Sequence, residues 1–258
     1  MNEKRLIGKK IVVTRARKQA ETLAAALEDL GACVIEFPTI EIEPIAARFD
    51  VGSMAGFHWA IFTSANAVRC FGMVLERAGV PFDLHGAKIC AVGPATQRSV
   101  EERSAYVDLV PDEFTSEGII AALEETEEGL DGQRILVPRG EMAGHVLPDT
   151  LRAHGADVAE PIVYRTVCPS VTDEASDALV AAQPGIVTFT SASTARHYVQ
   201  ILGEERIEAL SGIVYASIGP QTTLSAETAG ISISIEPGRH DVPGLIEAIS
   251  QYDARKMT

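Results

Sequence analysis

The 258-residue sequence predicts an α/β protein of two doubly wound parallel-sheet domains joined by a two-stranded linker. Three observations carry this. The chain repeats itself at one long offset, short apolar runs alternate with helical patterns, and two proline-bounded segments recur at matching places. The repeat is clearest at turns. Arg15 and Arg139 lie 124 residues apart, each after a short apolar run, and Gly31-Ala32 and Gly155-Ala156 keep that offset. Thr63-Ser64-Ala65-Asn66 returns as Thr190-Ser191-Ala192-Ser193 at an offset of 127. Gly93-Pro94-Ala95-Thr96 returns as Gly219-Pro220-Gln221-Thr222 at 126, and Pro111 and Gly118 return as Pro237 and Gly244 at 126. So long a period marks a duplicated domain, because solenoid repeats are much shorter.

The strand candidates, in order, are residues 11–14, 59–63, 89–92, 107–110, 135–137, 186–190, 214–218 and 231–235. They are continuous apolar runs more often than alternating ones, which suits parallel strands covered on both faces. Between them lie helical patterns. Leu23, Leu27 and Leu30 recur at helical spacing before Gly31, and Leu147 and Leu151 do so before Gly155, with glycine as the C-terminal stop. Val68, Phe71, Val74 and Leu75 mark a helix after the Thr63 turn. Thr115 or Ser116 can cap the next helix, and Asp241 the last. Residues 37–44 and 161–169 alternate polar and apolar side chains between prolines, which suits connecting strands with one wet face. If both cross between domains, residues 1–37 belong with 169–258, residues 44–161 form the second domain, and 38–43 and 162–168 connect them. The sequence alone also permits an unswapped pairing.

The charge balance excludes some functions. Thirty-six acidic against 22 basic residues give a net charge of −14, with no Lys/Arg run to neutralise phosphates, so no nucleic-acid partner is expected. An anionic small molecule stays open, because backbone N–H groups and a few arginines hold carboxylates locally. The first ten residues are polar, and no apolar run approaches the roughly 20 residues of a membrane span, so a cytoplasmic protein without membrane contact is expected. Cys33, Cys70, Cys90 and Cys168 are scattered, with no C-x-x-C pair, and are expected to be reduced, buried and structural.

In an open parallel sheet, ligands bind beyond the carboxyl ends of the strands. The repeated turns fall there. Thr63, Ser64, Asn66, Thr190, Ser191 and Ser193 can cap the following helices, or they can present hydroxyls and free N–H groups to a ligand. In the Gly93 and Gly219 turns, glycine permits close approach, proline fits the first helical turn, and Thr96 and Thr222 are read as caps. Arg15 and Arg139, just past strand ends, are candidates for carboxylates at the rim of a cleft between the domains. No phosphate loop, dinucleotide fingerprint, zinc helix or nucleophile elbow is present, and the six histidines show no metal spacing, so neither metal nor cofactor is expected. His154 is expected at a helix C-terminus. Tyr164 lies on a connecting strand, either as a satisfied half-buried aromatic or as a working phenol.

Six motifs in order resemble the uroporphyrinogen-III synthase family: Val13-Thr14-Arg15 with Gln19, the run 62–68, the run 91–96, Val163-Tyr164-Arg165-Thr166, the run 189–193 and the run 218–222. The resemblance spans nearly the whole chain. It implies that hydroxymethylbilane, a linear tetrapyrrole with eight carboxylates, is closed to uroporphyrinogen III with inversion of the last ring and loss of water. It further implies a cofactor-independent lyase of tetrapyrrole (porphyrin, heme) biosynthesis, with the preceding pathway enzyme as a further partner. The turn residues, with Gly93 and Gly219, would hold the substrate, and Tyr164 would donate the proton or place a water that does. Two positions depart from the family pattern: Ala16 stands where proline is frequent, and Ser104-Ala105-Tyr106 lacks a glycine that Gly230 keeps in the second copy. The rival readings are a non-catalytic two-domain binding module for an organic polyanion and an enzyme acting on another polycarboxylate.

Overall fold

The computed structural model of the protein describes residues 5–45, 56–82, 84–126 and 129–256. Its elements run β1 (Lys10–Val13), α1 (Arg17–Asp29), β2 (Cys33–Glu36), β3 (Glu41–Pro44), β4 (Trp59–Phe62), α2 (Ala65–Arg77), β5 (Lys88–Ala91), α3 (Pro94–Glu101) and α4 (Ser116–Glu124). They continue β6 (Arg134–Leu136), β7 (Arg139–Gly140), α5 (Val146–Ala153), β8 (Asp157–Ala159), β9 (Ile162–Val167), α6 (Asp173–Ala182), β10 (Ile186–Phe189), α7 (Ala192–Ala209), β11 (Val214–Ser217), α8 (Pro220–Thr228) and α9 (Val242–Lys256). The chain divides into two compact units, Met1–Glu41 with Val167–Thr258, and Ile42–Thr166.

Each unit holds a four-stranded parallel sheet. The orders are β11-β10-β1-β2 and β5-β4-β6-β8, with equivalent strands of the repeat in equivalent places. Ile11 pairs with Ile186 in one and Trp59 with Ile135 in the other. In both, the order reverses between the two central strands, and that reversal opens a crevice at their carboxyl ends.

The apolar runs are continuous because helices cover both faces. Trp59 and Ile61 of β4 pack with Ile120, Leu123, Leu147 and Leu151 of α4 and α5. Ala60 and Phe62, pointing the other way, pack with Val68, Phe71 and Val100 of α2 and α3. In the other unit Ile11 and Val13 meet Leu23, Leu27, Leu245 and Ile249, while Val12, Val187 and Phe189 meet Tyr198, Leu202 and Ala226. Each large side chain so buried contributes about 1.5–3 kcal/mol.

Residues 107–110 and 231–235 depart from expectation. Each makes one isolated bridge, Cys90 to Leu109 and Ala216 to Ile235, beyond the last strand of its sheet. At the first, the Asp108 carboxylate takes a hydrogen bond from the Ile89 N–H at 2.7 Å, occupying a donor that an extended ladder would use. The connecting strands also gain a third member, since the sheet order is β3-β9-β7. The cysteines correct another expectation. All four are free, but Cys33 is exposed on an edge strand and Cys168 half-buried, and only Cys70 and Cys90 are buried. Burial pushes the Cys90 thiol up to about 12.

The ends of the helices follow their sequences. Ser64, Thr115 and Ser191 accept the backbone N–H three residues on, and the Asp241 carboxylate accepts that of Gly244 at 2.7 Å. Gly31 and Gly155 terminate α1 and α5 with φ of +92° and +90°. His154 caps the C-terminus of α5 and meets Glu124 at 2.6 Å. Ala16, at φ −54° and ψ 138°, holds a conformation that proline also adopts. Ser104 has φ +59°, the left-handed region that Gly230 occupies at +88° in the other copy. A serine there is strained by about 1–2 kcal/mol, and glycine removes the strain while adding unfolded-chain entropy. Ser104→Gly is therefore expected to stabilise the protein by about 0.5–1 kcal/mol in denaturant titration, and a loss of stability would contradict this reading of the turn.

Candidate active site

Because every strand of each four-stranded sheet is parallel, the turns that follow them lie on one edge of that sheet. In the unit Ile42–Thr166 that edge carries the Thr63–Asn66 turn after β4, the Gly93 turn after β5 and Arg139 after β6. In the other unit it carries Arg15 after β1, the Thr190–Ser193 turn after β10 and the Gly219 turn after β11.

Within each unit the second helix of the pair packs on the start of the first. Ser99 of α3 donates to the Ala65 carbonyl at 3.4 Å, and Ser225 of α8 donates to the Ala192 carbonyl at 3.0 Å. Because each pair of helices follows neighbouring parallel strands, the N-termini of α2 and α3, and of α7 and α8, lie on one sheet edge. Each helix start carries unpaired N–H groups and a partial positive charge, which attract anions. In a chain of net charge −14 this local field works against the overall one.

The first turn of each pair is capped. Ser64 Oγ accepts the Ala67 N–H at 3.1 Å, and Ser191 Oγ accepts that of Thr194 at 3.3 Å. Thr63 is exposed. Asn66 is buried and its amide oxygen accepts from Arg69. Ser191 and Ser193 share a hydrogen bond of 2.9 Å. The second turn of each pair differs from expectation. Gly93 and Gly219 occupy the N-cap positions of α3 and α8, so no side chain caps either helix. Thr96 and Thr222 fall inside the first helical turn, buried, and are not caps. Both glycines have extended φ, 171° and 168°, so close packing and not a left-handed turn accounts for them. A Cβ on Gly93 would stand 3.3 Å from the Phe114 ring, and one on Gly219 would stand 3.0 Å from the His240 ring.

The two arginines separate. Arg15 is half-buried, and burial pulls its guanidinium below the ordinary range. Its Nε is buried with no hydrogen-bond partner among the described residues. Arg139 is buried and paired within its own unit. Its side chain is 5% exposed and makes an ion pair of 2.5 Å with Glu160. It also hydrogen-bonds His145 Nδ1 at 2.9 Å and the Ala143 carbonyl. Arg152 reaches the other oxygen of Glu160 at 2.7 Å. Burial alone would raise the Glu160 carboxyl, but the hydrogen bonds from Arg152 and Arg139 outweigh it and hold the carboxyl below its ordinary range. Arg139 thus braces the loop 140–145, and its charge is used internally. Glu160 was not legible beforehand, since one glutamate in an acidic chain carries no signal.

Tyr164 comes from β9 and is half-buried against the core that contains Phe62 and Val68. Its hydroxyl lies 3.4 Å from Ser64 Oγ. Ser64 already accepts from Ala67, so its own proton can point to the phenol oxygen, leaving the phenol proton to be donated elsewhere. The side chain of Gln19 lies outside the described residues. Among the described residues no group of three His, Cys, Asp or Glu side chains is arranged to hold a metal ion, and no helix is long and apolar enough to cross a membrane.

Comparison with known proteins gives this arrangement its context. The family model described as Uroporphyrinogen-III synthase HemD matches residues 21–247. The chain is 34% identical to the uroporphyrinogen-III synthase of Synechococcus elongatus over 268 aligned positions, covering 100% of both chains. It is 29% identical to that of Chlorobaculum parvum over 94% of this chain and 98% of the relative. Among solved structures, uroporphyrinogen-III synthetase from Helicobacter pylori superposes with a TM-score of 0.66 at 20% identity, over 95% of this chain and 99% of the other, and so shares the fold. With the family model matched across most of its length, the chain belongs to the uroporphyrinogen-III synthase family.

Proposed function

We propose that this protein closes hydroxymethylbilane to uroporphyrinogen III, with inversion of the last pyrrole ring and loss of water. The observation that carries the reading is the matched pair of paired helix N-termini, one pair in each unit, with hydroxyl-bearing turns in equivalent places. Such starts suit a substrate that presents many carboxylates. Arg15, whose buried Nε has no hydrogen-bond partner among the described residues, adds one charged contact.

The chemistry asks little of the protein beyond shape. The bilane hydroxyl leaves as water after accepting one proton, the pyrrole nitrogen's electron pair stabilises the resulting cation, and the bridge-bearing α carbon of the last ring attacks it. Inversion breaks the bond from that carbon to its original methylene bridge and re-forms it at the ring's other α carbon, and loss of one proton from there restores the neutral pyrrole. Holding a flexible chain in one folded conformation is catalysis by positioning. The phenol of Tyr164, with its oxygen facing Ser64, is the proton donor in this account. Cytoplasmic residence and contact with the enzyme that makes the bilane belong to the same proposal.

Because the ligand is held at many points, single hydroxyls matter little. Thr63→Ala and Ser193→Ala are each expected to cost about 1 kcal/mol in substrate binding, less than about a tenfold rise in KM. Steady-state kinetics on hydroxymethylbilane reads this. Abolition of activity by either change alone would point to a different, concentrated site. The reaction itself is tested by separating the uroporphyrin isomers that form from hydroxymethylbilane.

A further inference from the structure

The Tyr164 ring has its place because residue 140 has no side chain. β7 pairs with β9, Arg139 opposite Ile162 and Gly140 opposite Tyr164, with a register shift between Arg139 and Gly140. The Glu141 N–H donates to the Tyr164 carbonyl at 2.9 Å, which holds the two backbones together. A Cβ built on Gly140 would stand 2.7 Å from Tyr164 Cζ, 2.8 Å from Cε2 and 3.0 Å from the hydroxyl oxygen. Such contacts do not persist, so the ring would have to shift. Gly140 is absent from the residues with positive φ, so its backbone accepts alanine and the constraint is one of space. The phenol thus lies across the missing side chain, its hydroxyl 3.4 Å from Ser64 Oγ.

We infer that Gly140 is a positioning residue for the reaction: it seats the Tyr164 phenol so that its hydroxyl meets Ser64 and its proton stays available to the substrate. The inference rests on Tyr164 being the proton donor.

A double-mutant cycle on hydroxymethylbilane turnover tests it, with tyrosine ring NMR as an independent readout. Gly140→Ala is expected to lower kcat to within about threefold of the Tyr164→Phe value, with KM changed less than kcat. In the Tyr164→Phe background it should change kcat by less than about threefold, because the hydroxyl it misplaces is already gone. In ring-labelled protein, one of the five tyrosine signals should shift, the one that vanishes in Tyr164→Phe. Multiplying effects in the two backgrounds, or a Tyr164 signal that does not move, would overturn the inference. Full turnover in Tyr164→Phe would sink the proton-donor reading and the positioning role with it, while a shifted ring signal would still report the steric seat. If Gly140→Ala does not fold, Gly140→Ala with Tyr164→Val removes the ring that the methyl meets and is expected to fold. Failure of that pair assigns Gly140 to the backbone and overturns the proposal.

Discussion

Tyr164→Phe is expected to lower turnover by about 10- to 100-fold, with the fold intact and uroporphyrinogen III still the product. Phenylalanine keeps the ring packed on the Phe62 core and removes only the hydroxyl that meets Ser64. A general acid is typically worth about 10²–10⁴-fold, and the expected loss reaches at most the bottom of that range because the pyrrole pushes the hydroxyl out and water can supply part of the proton. In barrier terms the change is about 1.4–2.7 kcal/mol. Rapid quench kinetics with isomer analysis measures both numbers. Unchanged turnover would remove Tyr164 from the mechanism, and a switch to the type I isomer would assign it to ring inversion in place of proton transfer.

Glu160→Ala is expected to destabilise the protein by roughly 3 kcal/mol at neutral pH, because it leaves the Arg139 charge buried without its partner. The Arg139 side chain is 5% exposed and its Nε already lacks a partner among the described residues, so little is available to compensate. Glu160→Gln, which keeps an acceptor but no charge, should cost less. The stabilisation has a pH signature. The Glu160 carboxyl is held below its ordinary range in the folded state, so its contribution is fully present above the unfolded value of about 4.3 and fades as pH falls through the folded one. The gap between wild type and Glu160→Ala should narrow in acid. Urea titrations at pH 7 and below pH 4 give the comparison, and a gap that widens in acid would refute the ion-pair account.

Most of the scaffold is visible in the repeat. Apolar runs such as 59–63 became strands because both faces of each sheet are covered, and the glycines after Leu30 and His154 stop helices by taking φ that other residues avoid. What failed has a common cause: side chains act through partners far away in sequence. Nothing near Arg139 announces that Glu160 will pair with its charge, so an arginine that looked free is a brace. Thr96 and Thr222 looked like caps because threonine often is one, but the preceding glycines start the helices first. Residues 107–110 read as a strand by composition, and an aspartate side chain takes a ladder donor there. The Gly140 seat is invisible locally, since it depends on a ring 24 residues on.

This chain is proposed to fold and close a linear tetrapyrrole with inversion of one ring. The most direct test incubates the purified protein with hydroxymethylbilane, oxidises the products and resolves the two uroporphyrin isomers. Closure without help gives the type I isomer, so type III should dominate from the first time point and rise in proportion to protein concentration. Type I alone, at the rate seen without protein, would contradict it even if the bilane binds tightly, and would leave a binding protein in its place.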